Sequence, residues 1–138
     1  LAHWWSRPAG LMLIGSYGAS AVLLYGAPRS PLAQPRNLLG GHILSAIVGV
    51  ACYQLFPDNQ PLAAALAVAT AISVMQITRT LHPPGGATAL IAVLGPQAVH
   101  DTGWLFPVPV ALGAGILLAV ALVVNNLSRQ HRYPEHWF

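Results

Sequence analysis

Apolar residues run along this chain in long, nearly unbroken stretches, interrupted by short clusters of Pro, Gly, Asn and Arg. The stretches fall at roughly 9–25, 38–56, 62–80, 85–99 and 104–126. Within them almost every position is apolar rather than one face only, the pattern of helices that contact lipid and each other. A helix needs roughly 20 such residues to cross about 30 Å of hydrocarbon, and the fourth stretch is the shortest, clear from Gly85 to Leu94 and extending at most to Val99. Gly26-Ala27-Pro28, Ser30-Pro31 and Gln34-Pro35 break the chain after the first stretch. Pro57-Asp58-Asn59-Gln60-Pro61 marks a tight turn after the second, His82-Pro83-Pro84-Gly85-Gly86 parts the third from the fourth, and Gly95-Pro96 with Asp101-Thr102-Gly103 parts the fourth from the fifth. The pattern predicts an all-α membrane protein, a compact bundle of about five transmembrane helices forming a single domain over residues 1–138.

Charge placement refines this map. With five crossings, Arg7, Asp58 and Asp101 share one side, and Arg29, Arg36, Arg79, Arg129 and Arg132 share the other. The positive-inside rule puts the Arg-rich side and the C-terminus in the cytoplasm. If 85–99 dipped in and returned, Arg129 and Arg132 would change sides and the bias would vanish, so charge favours five crossings. Trp4, Trp5, Trp104, Tyr133 and Trp137 lie near stretch ends, where aromatic rings anchor among headgroups.

An internal repeat is visible as well. Gly18-Ala19-Ser20-Ala21-Val22 matches Gly86-Ala87-Thr88-Ala89-Leu90, and Pro28 falls in the register of Pro96. Three crossings separate the copies, so the second is flipped relative to the first, the inverted-repeat pattern with short or broken helices found in many secondary transporters. A complete second half expects one further helix ahead of Leu1.

Composition narrows the function. Apolar residues make up 55% of the chain and charged residues 7%, against about 25% charged in a soluble domain; the surface must face a lipid bilayer. The net charge of +3 comes from single Arg residues at stretch edges, without a basic stripe or stacking aromatics, so no nucleic-acid partner is expected. Cys52 sits in an apolar run as a small packed thiol. The six His are scattered without metal-ligand spacing, and no nucleophile–base pair, phosphate loop or cofactor motif appears. Neither an enzyme, a cofactor nor a bound metal is expected. Asp58, Asp101 and Glu135 all lie outside the stretches, so any proton coupled to transport must travel on His82 or His42.

The candidate substrate site lies at Thr78–Thr88. Arg79, His82 and the helix N-terminus opening at Gly85 and Gly86 offer positive potential to a small anion; the plainer alternative is an Arg anchored at the interface and a His closing a loop. Arg36 and Asn37 open on the same face and line the mouth of a pathway, or serve topology alone. Ser20 and Thr88 offer hydroxyls near the middle, or bond back to a carbonyl one turn earlier. Gln76, polar within an apolar run, is expected to face the bundle interior.

These residues resemble the HPP family of small multi-pass membrane proteins. The resemblance rests on Gly18-Ala19-Ser20-Ala21, the run from Ser30 to Asn37, Gly41-His42, Thr78 to Thr88 with His82-Pro83-Pro84, Asn125-Asn126-Leu127, Arg132-Tyr133-Pro134 and His136-Trp137. It implies four to five transmembrane helices and a transporter role, and because cyanobacterial and plastid members are associated with nitrite transport, it makes nitrite the expected substrate. The resulting expectation is a transporter or facilitative channel for a small anion, a homo-oligomer in a bacterial cytoplasmic membrane. The alternative is a structural or regulatory membrane subunit without its own substrate.

Overall fold

A computed structural model describes residues 15–127 and 132–137. Its helices are α1 (Gly15–Gly26), α2 (Pro35–Leu55), α3 (Gln60–Ile77), α4 (Pro83–Leu94), α5 (Gln97–His100) and α6 (Pro107–Leu127), with 3-10 turns at Pro31–Ala33 and Gly103–Leu105. No strand occurs among the described residues.

The boundaries follow from local chemistry. Pro35 opens α2 at a position whose N–H has no helical partner to lose. Asn59 caps α3, its side chain accepting from the Leu62 N–H at 3.1 Å. Beyond the last turn of α3, Thr80 N–H donates to the Met75 carbonyl at 2.8 Å and Arg79 N–H to the Gln76 carbonyl at 3.2 Å. This is a Schellman stop, and Arg79 holds its left-handed position at φ 56°, where glycine is usual. Pro83 and Pro84 then start α4.

The fourth apolar stretch is helical to Leu94, and its extension to 99 differs from expectation: helix resumes there only as the four residues of α5. Pro96 lacks an N–H and holds Gly95 extended at ψ 172°, which the helix cannot continue through. The 12 residues of α4 span about 18 Å at 1.5 Å each, short of a full crossing. Among the described residues three segments are long and apolar enough to cross: Pro35–Leu55, Gln60–Ile77 and Gly103–Leu127.

Helix α2 is the hub, packed against α3, α4 and α6, while α1 packs on α4 and α6. One apolar cluster, with Tyr17, Leu24, Leu38, Val50, Phe106 and Val110, fills the space between α1, α2 and α6. A second, dominated by Ala63, Ala67, Ala71 and Ala89 with Met75 and Val93, joins α2, α3 and α4. Small residues set the spacing: a Cβ on Gly49 would stand 2.6 Å from both the Ala89 carbonyl oxygen and the Ala92 Cβ. The backbones of α2 and α4 therefore meet directly, as membrane helices do. On the outside, Val108, Leu112, Ile116, Val120 and Val123 form an apolar stripe along α6, each at least 45% exposed. A stripe of that kind is stable against lipid rather than water, and the protein is an integral membrane protein.

Candidate functional site

Among the described residues the interior holds a polar cluster contributed by α1, α2, α4 and the His82 that caps α4. Ser16, Ser20, His42, His82 and Thr88 are all buried. Ser20 Oγ lies 2.8 Å from His42 Nε2 and 2.8 Å from His82 Nε2, and 3.1 Å from the Ser16 carbonyl oxygen. The other nitrogen of His42, Nδ1, is 2.7 Å from Thr88 Oγ1, which is 2.8 Å from Ser16 Oγ. His82 Nδ1 lies 2.8 Å from the Leu32 carbonyl oxygen in the 3-10 turn. The two imidazoles are 5.0 Å apart between centroids, and the Tyr17 ring stands edge-on to His42 while its hydroxyl donates to the Val110 carbonyl at 2.8 Å. Among the described residues no buried side-chain nitrogen or oxygen lacks a partner. Burying this many polar groups is costly unless each is bonded.

His82 reaches the cluster because its backbone is extended ahead of the double proline, φ −137° and ψ 102°, which aims the side chain inward. The preceding turn is braced from α2. Arg36 Nη2 donates to the Thr78 carbonyl at 2.8 Å, and Asn37 Nδ2 to the Leu81 carbonyl at 2.8 Å. Arg36 thus answers the negative end of α3. Gly41 lets the turn press against α2: a Cβ there would stand 2.5 Å from the His82 Cβ.

The structure brings some of the sequence-predicted residues together and separates others. Ser20, His82 and Thr88 share the cluster, and Ser20 also makes the backward bond to Ser16. Arg79 does not join them; it is exposed on its left-handed turn while His82 is fully buried. The anion-binding helix N-terminus expected at Gly85 and Gly86 is corrected by elementary chemistry. Pro83 and Pro84 carry no N–H, and the Gly85 N–H is already bonded to the His82 carbonyl at 2.8 Å. Gly85 is instead a packing position, with Ser45 Oγ, the Gly41 carbonyl and Met75 Sδ within 3.0 Å of where a Cβ would be. Gly86 is half-buried at the edge of a groove. Gln76 faces outward rather than into the bundle, lining with Gly86 and Leu90 that apolar groove of about 490 Å³ between α3 and α4. In the last turn of α3 its amide sits near the helix end, where it needs no interior partner.

Sequence reasoning names His42 only as a proton carrier, outside the substrate site, and does not reach Ser16 or Tyr17. For His42 a signal existed: an ionisable residue inside an apolar run marks a functional position by default.

The described C-terminal residues close one end of the bundle. Tyr133 donates its hydroxyl to the Ala33 carbonyl at 2.8 Å, and the Glu135 N–H donates to Gln34 Oε1 at 3.0 Å. Asn126 pairs with the Tyr133 backbone, and Arg29 Nε approaches Glu135 at 3.7 Å.

Comparison with known proteins places the chain. The family described as "HPP, transmembrane region" matches residues 1–134. A transmembrane protein of Dictyostelium discoideum is 50% identical over 130 residues, covering 92% of this chain and 46% of the relative. A second from the same organism is 48% identical over 131 residues, covering 93% of this chain and 42% of the relative. The chain therefore spans less than half the length of these curated relatives. No solved structure matches it. With nearly all of its residues matched to that family, including the His82-Pro83-Pro84 motif at the buried cluster, the chain belongs to the HPP family of transmembrane proteins.

Proposed function

We propose that the chain is the transmembrane part of a transporter or facilitative channel for a small anion, with nitrite, the anion the family resemblance implies, as its substrate. The observation that carries this reading is the buried pair His42 and His82, ringed by Ser16, Ser20 and Thr88, in a bundle whose interior is mainly apolar. Ionisable groups at membrane depth are expensive and are kept where a solute or ion passes. Arg79 supports it from outside: an Arg in a left-handed backbone position costs about 1 kcal/mol or more relative to glycine, and an exposed cation beside the break attracts anions. An inverted repeat belongs to the same proposal. Ser20 and Thr88, in matching places of the two copies, flank one imidazole, at Nε2 and Nδ1 of His42 respectively.

The proposal includes five crossings with the C-terminus in the cytoplasm, assembly as a homo-oligomer through small-residue faces, and no enzymatic activity. The two relatives, from Dictyostelium discoideum, lend no support to a bacterial membrane in particular.

The test is uptake of nitrite by liposomes holding the purified protein. Uptake is expected for the native sequence, and its loss in Arg79→Ala and His82→Ala proteins that still insert. Undiminished uptake in both variants refutes the site. A second reading, a structural or regulatory membrane subunit, draws on the dense packing around Gly85 and the complete pairing of buried polar atoms. Absence of uptake across a panel of small anions would favour it.

A further inference from the structure

The hydrogen bonds around Ser20 carry an inference about protons. A serine hydroxyl has one hydrogen to give and two lone pairs to receive with. Three partners surround Ser20 Oγ: the Ser16 carbonyl at 3.1 Å, His42 Nε2 at 2.8 Å and His82 Nε2 at 2.8 Å. His82 Nδ1 faces another carbonyl, that of Leu32 at 2.8 Å, so it must be N–H. The Thr88 hydroxyl donates to Ser16 Oγ, so His42 Nδ1 must also be N–H to bond Thr88 Oγ1 at 2.7 Å. With both rings neutral, both Nε2 atoms are bare and share the single Ser20 hydrogen, so one of them faces only a lone pair. One added proton completes the set: His82 Nε2–H donates to Ser20 Oγ, and the Ser20 hydroxyl donates to His42 Nε2. His82 is the better holder of that charge, because its Nδ1–H rests on a carbonyl and that of His42 on a hydroxyl.

We infer that His82 is a proton-binding site, switched by rotation of the Ser20 hydroxyl, and that the proton it takes up is the ion coupled to anion movement.

The coupling rests on the transport reading; the proton site itself does not. In the step, a hydronium or a protonated buffer acid gives up an O–H bond, and the proton forms a new N–H bond with the lone pair on His82 Nε2. The Ser20 O–H, which in the neutral state points at that nitrogen, rotates onto His42 Nε2. The Ser16 carbonyl already serves the helix ladder and needs no hydrogen from Ser20. Every polar atom of the cluster is therefore partnered only with the proton present, which a site made only for packing does not require. The other groups facing the pair leave it free to take up charge. From α1 comes the phenol of Tyr17, tied to Val110, from α3 the Met75 sulfur lies against Gly41 and Gly85, and α6 presents a backbone carbonyl. The three acids lie elsewhere: Asp101 bonds Gln97, Glu135 approaches Arg29, and Asp58 is exposed in the α2–α3 turn. Among the described residues a protonated His82 thus has no counter-ion, and a monovalent anion entering at the break neutralises it, so the two cross as an uncharged pair.

The full chain, labelled with nitrogen-15 in its histidine rings and held in lipid nanodiscs, tests the site by nuclear magnetic resonance. At high pH, His82 and His42 are both expected with hydrogen on Nδ1, the signals assigned by His82→Gln and, independently, by His42→Gln. On acidification His82 gains a second N–H while His42 does not. Ser20→Ala, which removes the acceptor for that N–H, is expected to weaken proton binding at least tenfold. His82 found in the other tautomer, or keeping one N–H wherever the protein stays folded, overturns the proton site. Liposomes carrying an internal pH dye, with protein-free vesicles as the baseline, separate the coupling from the transport. Lumen acidification in step with nitrite entry is expected. Nitrite entry indifferent to an imposed pH gradient sinks the coupling and leaves the transport reading standing. No nitrite entry, with His82 titrating as described, sinks the transport reading instead.

Discussion

Gly41→Ala is the most direct probe of how the buried cluster is held. The added Cβ would stand 2.5 Å from the His82 Cβ, 3.1 Å from the Thr80 carbonyl oxygen and 3.3 Å from Met75 Sδ. Carbon atoms rest at about 3.5 Å or more, so the start of α4 must retreat by about 1 Å. His82 cannot yield by rotating, because its Cβ is one bond from the backbone. A retreat of that size carries its 2.8 Å bonds to Ser20 and Leu32 beyond hydrogen-bond range. Overpacking costs about 1–3 kcal/mol, and a buried imidazole nitrogen left unsatisfied adds about 1–3 kcal/mol. The expected loss is about 2–5 kcal/mol in reversible detergent unfolding from bicelles. Gly40→Ala is the internal comparison. Its Cβ would meet the Thr80 side chain, at 2.6 Å from Cγ2 and 2.9 Å from Cβ. The Thr80 methyl can rotate away at the expense of its bond to Thr78, but the 2.9 Å contact with its Cβ remains, a smaller overlap than at Gly41, so about 1–2 kcal/mol is expected and less than for Gly41→Ala. A loss below about 0.5 kcal/mol for Gly41→Ala, against the overpacking range, or a larger loss for Gly40→Ala than for Gly41→Ala, refutes this account of the α2–α4 contact.

Three further outcomes follow from the same geometry. Arg79→Gly is expected to raise stability by about 1 kcal/mol by relieving the left-handed position while lowering the initial rate of nitrite uptake; unchanged stability refutes the strain, unchanged uptake the electrostatic role. Asn37→Ala and Arg36→Ala each remove a donor from the 78–81 turn, at about 1 kcal/mol for the amide and about 1.5–3 for the guanidinium, and the guanidinium should prove the costlier in the same unfolding assay. Burial, helped by Tyr25, pushes the Tyr133 hydroxyl up from 10.0 to about 12. Its neutral form is the one favoured by folding, so its contribution to docking the tail is intact below pH 10 and is lost as pH rises towards 12. Trypsin cleavage at Arg132 should follow the same dependence on tail docking, rising in Tyr133→Ala at neutral pH; equal cleavage in both proteins refutes it.

The helical plan can be read from the sequence because every described long helix is a largely apolar run with proline in its first turn, and those cues are local. The stop at Leu94 is legible too, since Pro96, with its missing N–H, cannot continue the helix; only the apolar residues beyond it carry the fourth stretch on to 99. That same missing N–H, at Pro83 and Pro84, removes the helix-terminus anion site, and here the sequence did carry the objection. The pairing of Ser20 with His82 was not legible: 62 residues separate them, and their meeting depends on how α1 sits against α4. Gln76 shows the limit of polarity as a guide to orientation, since a position near a helix end can turn outward without stranding its amide.

The tail and the centre of the bundle share a three-residue segment. Tyr133 grips the carbonyl of Ala33, and His82 grips that of the adjoining Leu32, so one peptide unit separates the chain's last described stretch from its buried imidazole. Anything that lifts the tail, such as a partner protein or a neighbouring subunit, pulls on the acceptor that orients the ring. The shortest mechanical route from the membrane surface to the interior histidine therefore runs through two hydrogen bonds, with no helix obliged to shift.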